Sequence, residues 1–448
     1  MAGPRPVTIA VIDTGFDLDH EVLRPRLKLG ETDEEGAEKQ AQLWRSKFQD
    51  NSHLKQSVLS GAPLHQVLMY RTLKAKSHQE GLTPEESLWV EMKKMDPAFK
   101  ENLRQFKRHV HGTIVAGIAV QEGEGLSVFP VRGLGLDVPT LVVEGDSERP
   151  TVIVKSKNSE NEFRRQVQLS EQRVIRKMRR MLDYIAHQRI QVVNASYGVT
   201  EKHITSRFAE LHKEITGLNL DPLRLREIVS GYFERLYLQA GVLIGQHPQT
   251  LFVFSAGNSG QDNGLHHHFP SRLRHHNVLS VAALNGERLA PFSNWGHDYV
   301  DIAAPGVGIN AMLPSVYSKE NGVSMVPASG TSMAAPYISN VAARCLQLNQ
   351  NLTGAQLKQI IMETGDSLPS LTLRLTSGKK INPARAIRAA ELSLTQPLST
   401  AIQAAFVTTE SSSSLKDLVT TPPDKSAQPL AAPVLPTPEP QVPTSDSP

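Results

Sequence analysis

The chain has 448 residues, of which 39% are hydrophobic and 21% charged, a composition typical of soluble globular proteins. Its formal net charge of +3 is too small for this length to indicate binding to nucleic acid or to a membrane surface. No apolar run reaches the ~20 residues that span a bilayer. Cys345 is the only cysteine, so no internal disulfide can form, and its apolar surroundings predict a buried thiol. Because the N-terminus lacks the apolar core of a signal peptide, we expect a cytoplasmic protein.

Short apolar, β-rich runs recur along the chain, with helical patterns between several of them. The runs are residues 7–12, 126–131, 191–195, 251–255 and 277–283. Between residues 170 and 187, apolar side chains recur at the spacing of one helix face. This alternation predicts an α/β fold with a mainly parallel central sheet flanked by helices. Such sheets carry their functional residues at the C-terminal ends of the strands.

Three stretches look like insertions into this scaffold, at about residues 24–108, 140–168 and 200–247. The first contains TPEE at residues 83–86, a capping box with proline at the first helical position. It is either a surface decoration or a lid over the functional site. The third is expected to form two helices before the next strand.

The composition changes near the C-terminus. A last helix is predicted from Asn382 and Pro383, so that residues 1–396 form one domain. From residue 397 to 448, Pro, Ser, Thr and Ala predominate. Such a segment buries too little apolar surface to offset its ordering entropy, and we expect a disordered tail. This tail could recruit a protein partner.

Three short motifs carry the chemistry. A serine, Ser332, lies in GTSMAAP at residues 330–336, immediately before an apolar helical run. Free N–H groups at a helix N-terminus can stabilise an oxyanion, although Thr331 or Ser332 could equally serve only as a helix cap. A serine nucleophile needs a base that is held by a third group. His111, where a second apolar helix is predicted to begin, and Asp13, at the tip of the first strand, are suitable.

In combination, DTG at residues 13–15, HGTIVAG at 111–117 and GTSMAAP at 330–336 resemble the three signatures of the subtilisin-like serine peptidases, and they occur in that family's order. The resemblance implies a three-layer subtilisin-like fold. It also implies a serine endopeptidase that acts on protein or peptide substrates through an Asp13–His111–Ser332 triad. It covers about residues 7–23, 109–135, 170–198, 250–310 and 326–393.

Two further segments resemble positions at which this family binds substrate. SAGN at residues 255–258 resembles the strand end that supplies an oxyanion-hole asparagine, here Asn258. SYG at residues 196–198 resembles the edge that pairs with the substrate backbone and lines the first specificity pocket. The implied substrate-binding residues are Ser196, Tyr197, Gly198, Ala256 and Gly257.

We expect neither a cofactor nor a metal ion. Val22 occupies the position of a calcium-binding aspartate in secreted family members, and it has no oxygen ligand to offer. Histidines cluster at residues 266–268 and 275–276, but a polar loop without helical ligand spacing favours solvated side chains over a metal site. Two other functions stay open: a peptide ligase or macrocyclase, which passes the acyl group to an amine, and a scaffold without catalysis.

Overall fold

A computed structural model describes residues 5–29, 58–121, 123–133, 159–317 and 324–407. Within these residues the central sheet has the strand order β12-β13-β9-β7-β5-β3-β1-β2, with β8 paired to β7. The strands are β1 (Val7–Asp13), β2 (Leu126–Arg132), β3 (Val192–Ala195), β4 (Val199–Thr200), β5 (Leu251–Ser255), β6 (His268–Phe269), β7 (Val278–Asn285), β8 (Arg288–Leu289), β9 (Ile302–Pro305), β10 (Ile309–Met312), β11 (Met325–Ala328), β12 (Asp366–Ser367) and β13 (Lys379–Lys380). The neighbouring strands from β2 to β9 all pair in parallel.

Helices cover both faces of the sheet. They are α1 (Gly61–Gln79), α2 (Pro84–Met95), α3 (Pro97–Val120), α4 (Ser159–His187), α5 (Glu201–Thr216), α6 (Pro222–Gly245), α7 (Thr331–Leu348), α8 (Gly354–Glu363), α9 (Pro383–Leu392) and α10 (Leu398–Val407). The capping box predicted for α2 is present, because the Thr83 hydroxyl accepts from the Glu86 N–H while the Glu86 carboxylate accepts from the Thr83 N–H. The two helices predicted in the third insertion are α5 and α6.

Strand β1, which lies between β3 and β2, is buried on both faces. Successive side chains of a strand point to opposite faces. Accordingly, Val7, Ile9 and Val11 belong to one apolar cluster, with α3 and α7, whereas Ala10 and Ile12 belong to a second, with α4, α5 and α6. Strands that are apolar on both faces are typical of parallel sheets covered by helices. The predicted three-layer α/β fold is confirmed.

The helix that carries His111 is longer than predicted. The sequence analysis expects it to begin at His111, but α3 begins at Pro97 and ends at Val120. The Asp96 carboxylate caps it by accepting the Phe99 N–H at 3.1 Å, and proline is favoured in the first helical turn. No glycine or further proline occurs before His111 to end the helix. The first insertion therefore leads into the functional site as one continuous helix.

Two other predicted boundaries are wrong. Helix α4 begins at Ser159, so residues 159–168 of the second insertion are part of the helix expected from residue 170. The tail is expected to be disordered from residue 397, but Leu398–Val407 forms α10. Ala401, Ile402 and Ala405 of this helix are buried. The average composition of residues 397–448 does not reveal this short apolar segment. Residues 408–448, the rest of the predicted tail, lie outside the described residues.

Among the helices of the described residues, none combines the length and the apolarity that crossing a membrane requires. Cys345 is fully buried in α7, as predicted. Burial raises the pKa of its thiol to about 12, so the thiol stays protonated and unreactive at ordinary pH.

Candidate active site

The first element of the site is a carboxylate–imidazole pair. Asp13 is the last residue of β1, and His111 lies in α3 directly above that strand end. The Nδ1 atom of His111 lies 2.8 Å from Oδ1 and 2.9 Å from Oδ2 of Asp13. The Thr14 N–H donates a further hydrogen bond of 2.7 Å to Oδ1. The carboxylate is thus held in place, and it fixes the orientation of the imidazole ring.

A glycine allows the helix to come this close to the strand. A Cβ atom placed on Gly112 would lie 2.0 Å from the carbonyl oxygen of Gly15 and 3.2 Å from Cβ of Asp13. Any side chain at this position would therefore push α3 away from the end of β1. The His-Gly dipeptide of the motif at residues 111–117 thus has a steric reason, since it brings the imidazole within reach of the carboxylate.

Electrostatics favour the imidazolium form of His111. Burial of the ring disfavours its charged form and by itself lowers the pKa of His111. The carboxylate of Asp13 acts more strongly in the other direction, so the net pKa is raised above its ordinary value of 6.5. The positive charges of Arg71, in α1, and Lys107, in α3, oppose this rise. Both cations come from the first insertion, which therefore contributes to the charge balance of the site.

Ser332 lies in the first turn of α7, where the helix N-terminus leaves backbone N–H groups unpaired. Its hydroxyl donates to the carbonyl oxygen of Ser196 at 3.2 Å. In return, the Ser196 hydroxyl donates to the carbonyl oxygen of Ser332 at 3.0 Å and accepts from the Asn194 amide at 3.0 Å. The structure thus joins the start of α7 to the end of β3. No hydrogen bond links the Ser332 hydroxyl to the described His111 ring.

The side chain of Asn258 is oriented by the start of the same helix. Its carboxamide oxygen accepts from the Thr331 N–H at 2.9 Å and from the Thr331 hydroxyl at 3.1 Å. The same hydroxyl accepts from the Gly257 N–H at 3.2 Å. With its oxygen engaged, Asn258 turns its NH₂ group to the open side, since the residue is exposed. Sequence reasoning missed this role of Thr331, although the residue belongs to the quoted motif.

The two predicted substrate-binding segments lie on either side of Ser332. Gly198 follows β3 and is exposed, and among the described residues no group hydrogen-bonds its backbone N–H or C=O. Tyr197 is half-buried and packs on the second apolar cluster. Ala256 is buried and continues the pairing of β5 with β7 through its N–H, which donates to Val281 at 2.9 Å. Within the described residues, the backbone of Gly198 is thus exposed and unpaired next to the contact between Ser196 and Ser332.

The histidine cluster differs from the prediction of solvated side chains. His266 is exposed, but His267 and His268 are only 9% and 5% exposed. His267 stacks on Phe233 with 4.9 Å between ring centroids. His268 lies in β6, which pairs with β4 immediately after Gly198. Contacts between distant segments bury both rings, and the local sequence carries no signal of them. Within the described part of the chain, no group of three His, Cys, Asp or Glu side chains is arranged to hold a metal ion.

The strand order and the site together define a subtilisin-like α/β protein. The model of the subtilase family matches residues 5–380, and the chain therefore belongs to the subtilase family. It is 31% identical over 159 residues to subtilisin-like protease 1 of Plasmodium vivax, covering 31% of this chain and 24% of that protein. It is 38% identical over 138 residues to the thermostable alkaline protease of Halalkalibacterium halodurans, covering 30% and 34% respectively. A solved structure of the subtilase cytotoxin SubAB aligns with 90% of this chain and 92% of that chain at 16% identity, with a TM-score of 0.45.

Proposed function

We propose that the chain is a serine endopeptidase that hydrolyses peptide bonds in protein or peptide substrates through an acyl-enzyme on Ser332. The observation that carries this proposal is the contact of the His111 imidazole with both carboxylate oxygens of Asp13, at 2.8 and 2.9 Å. A carboxylate on Nδ1 keeps the proton there and leaves Nε2 with a free lone pair, the form that a general base requires.

The reaction proceeds in two halves. The Ser332 Oγ atom attacks the scissile carbonyl carbon while Nε2 of His111 takes the hydroxyl proton. The C–N bond then breaks, and His111 returns the proton to the leaving amine. Water, activated by the same imidazole, hydrolyses the ester and restores Ser332. Asp13 stays ionised and stabilises the imidazolium that forms in each half.

In the free enzyme the Ser332 hydroxyl is bonded to the Ser196 carbonyl at 3.2 Å and not to His111. A substrate that pairs along residues 196–198 brings its own N–H to this carbonyl oxygen. The substrate N–H competes with the hydroxyl for this oxygen, and rotation about the Cα–Cβ bond of Ser332 turns the hydroxyl toward Nε2 of His111. Catalytic hydrogen bonds of serine enzymes often form only in the substrate complex.

The developing oxyanion is stabilised by two donors. One is the NH₂ group of Asn258, whose oxygen is held by Thr331, and the other is the backbone N–H of Ser332 in the first turn of α7. Donors that are fixed before the reaction need no reorganisation when the negative charge forms. The positive end of the α7 helix dipole acts in the same sense.

Replacement of the nucleophile tests this proposal. We expect Ser332→Ala to lower kcat about 10⁶-fold, the magnitude known for loss of the serine in subtilisin, with an unchanged melting temperature. Ser370→Ala, on the exposed surface, is the matched control. The assay uses internally quenched peptides and an unfolded protein, and product masses distinguish hydrolysis from transfer to an amine. Residual activity of Ser332→Ala above about 10⁻³ of the wild type would rule out this nucleophile.

A further inference from the structure

An imidazole ring lies between the two glycines that flank the substrate-binding segments. A Cβ atom placed on Gly198 would lie 2.2 Å from Cε1 of His268, and one placed on Gly257 would lie 2.8 Å from Nε2 of the same ring. Atoms cannot approach so closely, so a side chain at Gly198 would displace the ring. One at Gly257 would displace the ring and the amide of Asn294, whose Nδ2 atom would lie 2.5 Å away. The two glycines therefore leave between them a space that the His268 side chain already fills.

The ring is held in this position. Its Nδ1 atom lies 2.6 Å from the hydroxyl of Ser271, which is fully buried and accepts from the amide of Asn263 at 3.2 Å. On the backbone, His268 pairs with Thr200 in the short ribbon of β4 and β6. Only 5% of the surface of His268 is exposed. Rotation of the ring away from the glycines would break the contact with Ser271.

Within the described part of the chain, the other ring nitrogen of His268, Nε2, makes no contact like that of Nδ1 with Ser271. Among the described residues, no hydrogen-bond partner reaches Nε2 of His268, and of the ring atoms this one lies nearest to the Cβ position of Gly257. Burial lowers the pKa of the ring to about 4, so the imidazole is neutral at ordinary pH. The space between the glycines thus ends on a small, uncharged and polar surface.

The proposed reaction determines which part of a substrate meets this surface. A carbonyl oxygen at the Asn258 amide and an N–H at the Ser196 carbonyl belong to the same residue, the one before the scissile bond. Its Cα atom then lies between the two segments, and its side chain points toward the gap between Gly198 and Gly257. The ring of His268 lies across that gap.

We infer that His268 forms the base of the pocket for the residue before the scissile bond, and that this shallow pocket selects small uncharged side chains, namely Gly, Ala and Ser. This inference rests on the proposed function, because it concerns the substrate of the same site. Leu, Phe, Lys and Glu side chains would have to displace a ring that is packed and hydrogen-bonded.

A series of peptides that differ only in the residue before the cut tests this inference. For the wild type we expect kcat/KM for Ala to exceed that for Leu and Phe at least about 10-fold, the discrimination that steric exclusion of a few methylene groups provides. His268→Ala should open the pocket and raise kcat/KM for Leu and Phe about 10-fold or more. His266→Ala, in the same loop but exposed, should keep the wild-type preference.

The outcomes are distinguishable. Cleavage by the wild type after Leu or Phe as fast as after Ala would overturn the inference while leaving the proposed function intact, and this result needs no variant. If His268→Ala folds poorly, His268→Ser, which leaves a small polar side chain near Ser271, should show the same gain for Leu. An unchanged preference in a folded His268 variant would also overturn the inference. If the wild type cleaves no peptide at all, the proposed function fails, and the inference fails with it.

Discussion

The strand ends of the sheet and the first insertion contribute to the site in different ways. Asp13 ends one parallel strand and Asn258 follows another, while Ser332 lies in the first turn of the helix that packs across the same sheet. The described parts of the first insertion, residues 24–29 and 58–108, supply none of the reacting atoms in the proposed mechanism. The insertion instead continues into the helix of His111 and adds the cations Arg71 and Lys107 near the ring. In the proposed mechanism the reacting groups thus lie at strand ends and on the helices α3 and α7, whereas the described part of the insertion positions His111 and alters its pKa.

The insertion is nevertheless part of the core. Leu64, Val67 and Phe106 are fully buried and belong to the same apolar cluster as residues of β1 and α7. Arg71 in α1 donates to the carbonyl oxygen of Pro327 at 3.3 Å, in the strand before the Ser332 loop. The Asn285 amide donates to the His78 carbonyl at 2.7 Å. A surface decoration would share few such contacts, so we expect the loss of this segment to destabilise the whole domain.

Of the variants that compare the strand ends with the insertion, Asp13→Asn should have the largest effect on kcat. The amide would hold the wrong tautomer of His111 and could not stabilise the imidazolium, so kcat should fall about 10⁴-fold with little change in the melting temperature. The exposed Asp19 provides the control variant, Asp19→Asn, which should retain full activity. Steady-state kinetics with a single peptide measure both variants. A fall of less than about 10-fold for Asp13→Asn would remove this aspartate from the mechanism.

Phe106→Ala tests the insertion's place in the core. The ring is fully buried, with its centroid 5.0 Å from that of Tyr317. Its removal should lower the free energy of unfolding by about 3–5 kcal/mol. Leu88→Ala, in the same insertion but 64% exposed, should change it by less than about 0.5 kcal/mol. Denaturant unfolding measures the free energy of unfolding of both variants. If Phe106→Ala changes it as little as Leu88→Ala does, the insertion is a surface decoration and not part of the core.

Lys107→Met gives the smallest expected effect and concerns pH. The positive charge of Lys107 lowers the pKa of His111, so its removal should raise that pKa. Because His111 acts in its neutral form, activity is lost as the pH falls through this pKa, and the acidic limb of kcat/KM should move to higher pH. Lys107 is exposed, so the shift should shrink at high salt. Lys94→Met is the control, and a shift to lower pH in Lys107→Met would contradict the sign.

The sequence predicts what short-range patterns determine. The strands β1, β2, β3, β5 and β7 lie within about two residues of the predicted runs, because apolar residues bounded by polar ones are sufficient to indicate a buried strand. The three motifs likewise contain the residues that the structure brings to one edge of the sheet. The alternative in which Ser332 serves only as a helix cap is wrong, because Gly330 is the N-cap residue of α7 and no described side chain caps this helix.

Features that depend on contacts between distant segments were not predictable. The ring of His268 is buried by Gly198 and Gly257, which are separated from it by 70 and 11 positions in the chain. Nothing in the polar sequence around His268 indicates that its ring packs against these two glycines. The motif at residues 111–117 predicts a helix that begins at His111, but it lies within the second half of a helix that begins at Pro97.

The central claim is that Ser332 is a nucleophile activated by the His111–Asp13 pair. A fluorophosphonate probe tests it most directly, because it reacts only with an activated serine. The folded protein is labelled, digested and analysed by mass spectrometry, beside His111→Ala at equal concentration. We expect one modified peptide, carrying the label on Ser332, and no detectable label in His111→Ala within the same time. A label on another serine, or an unlabelled Ser332 in folded wild-type protein, would contradict the account.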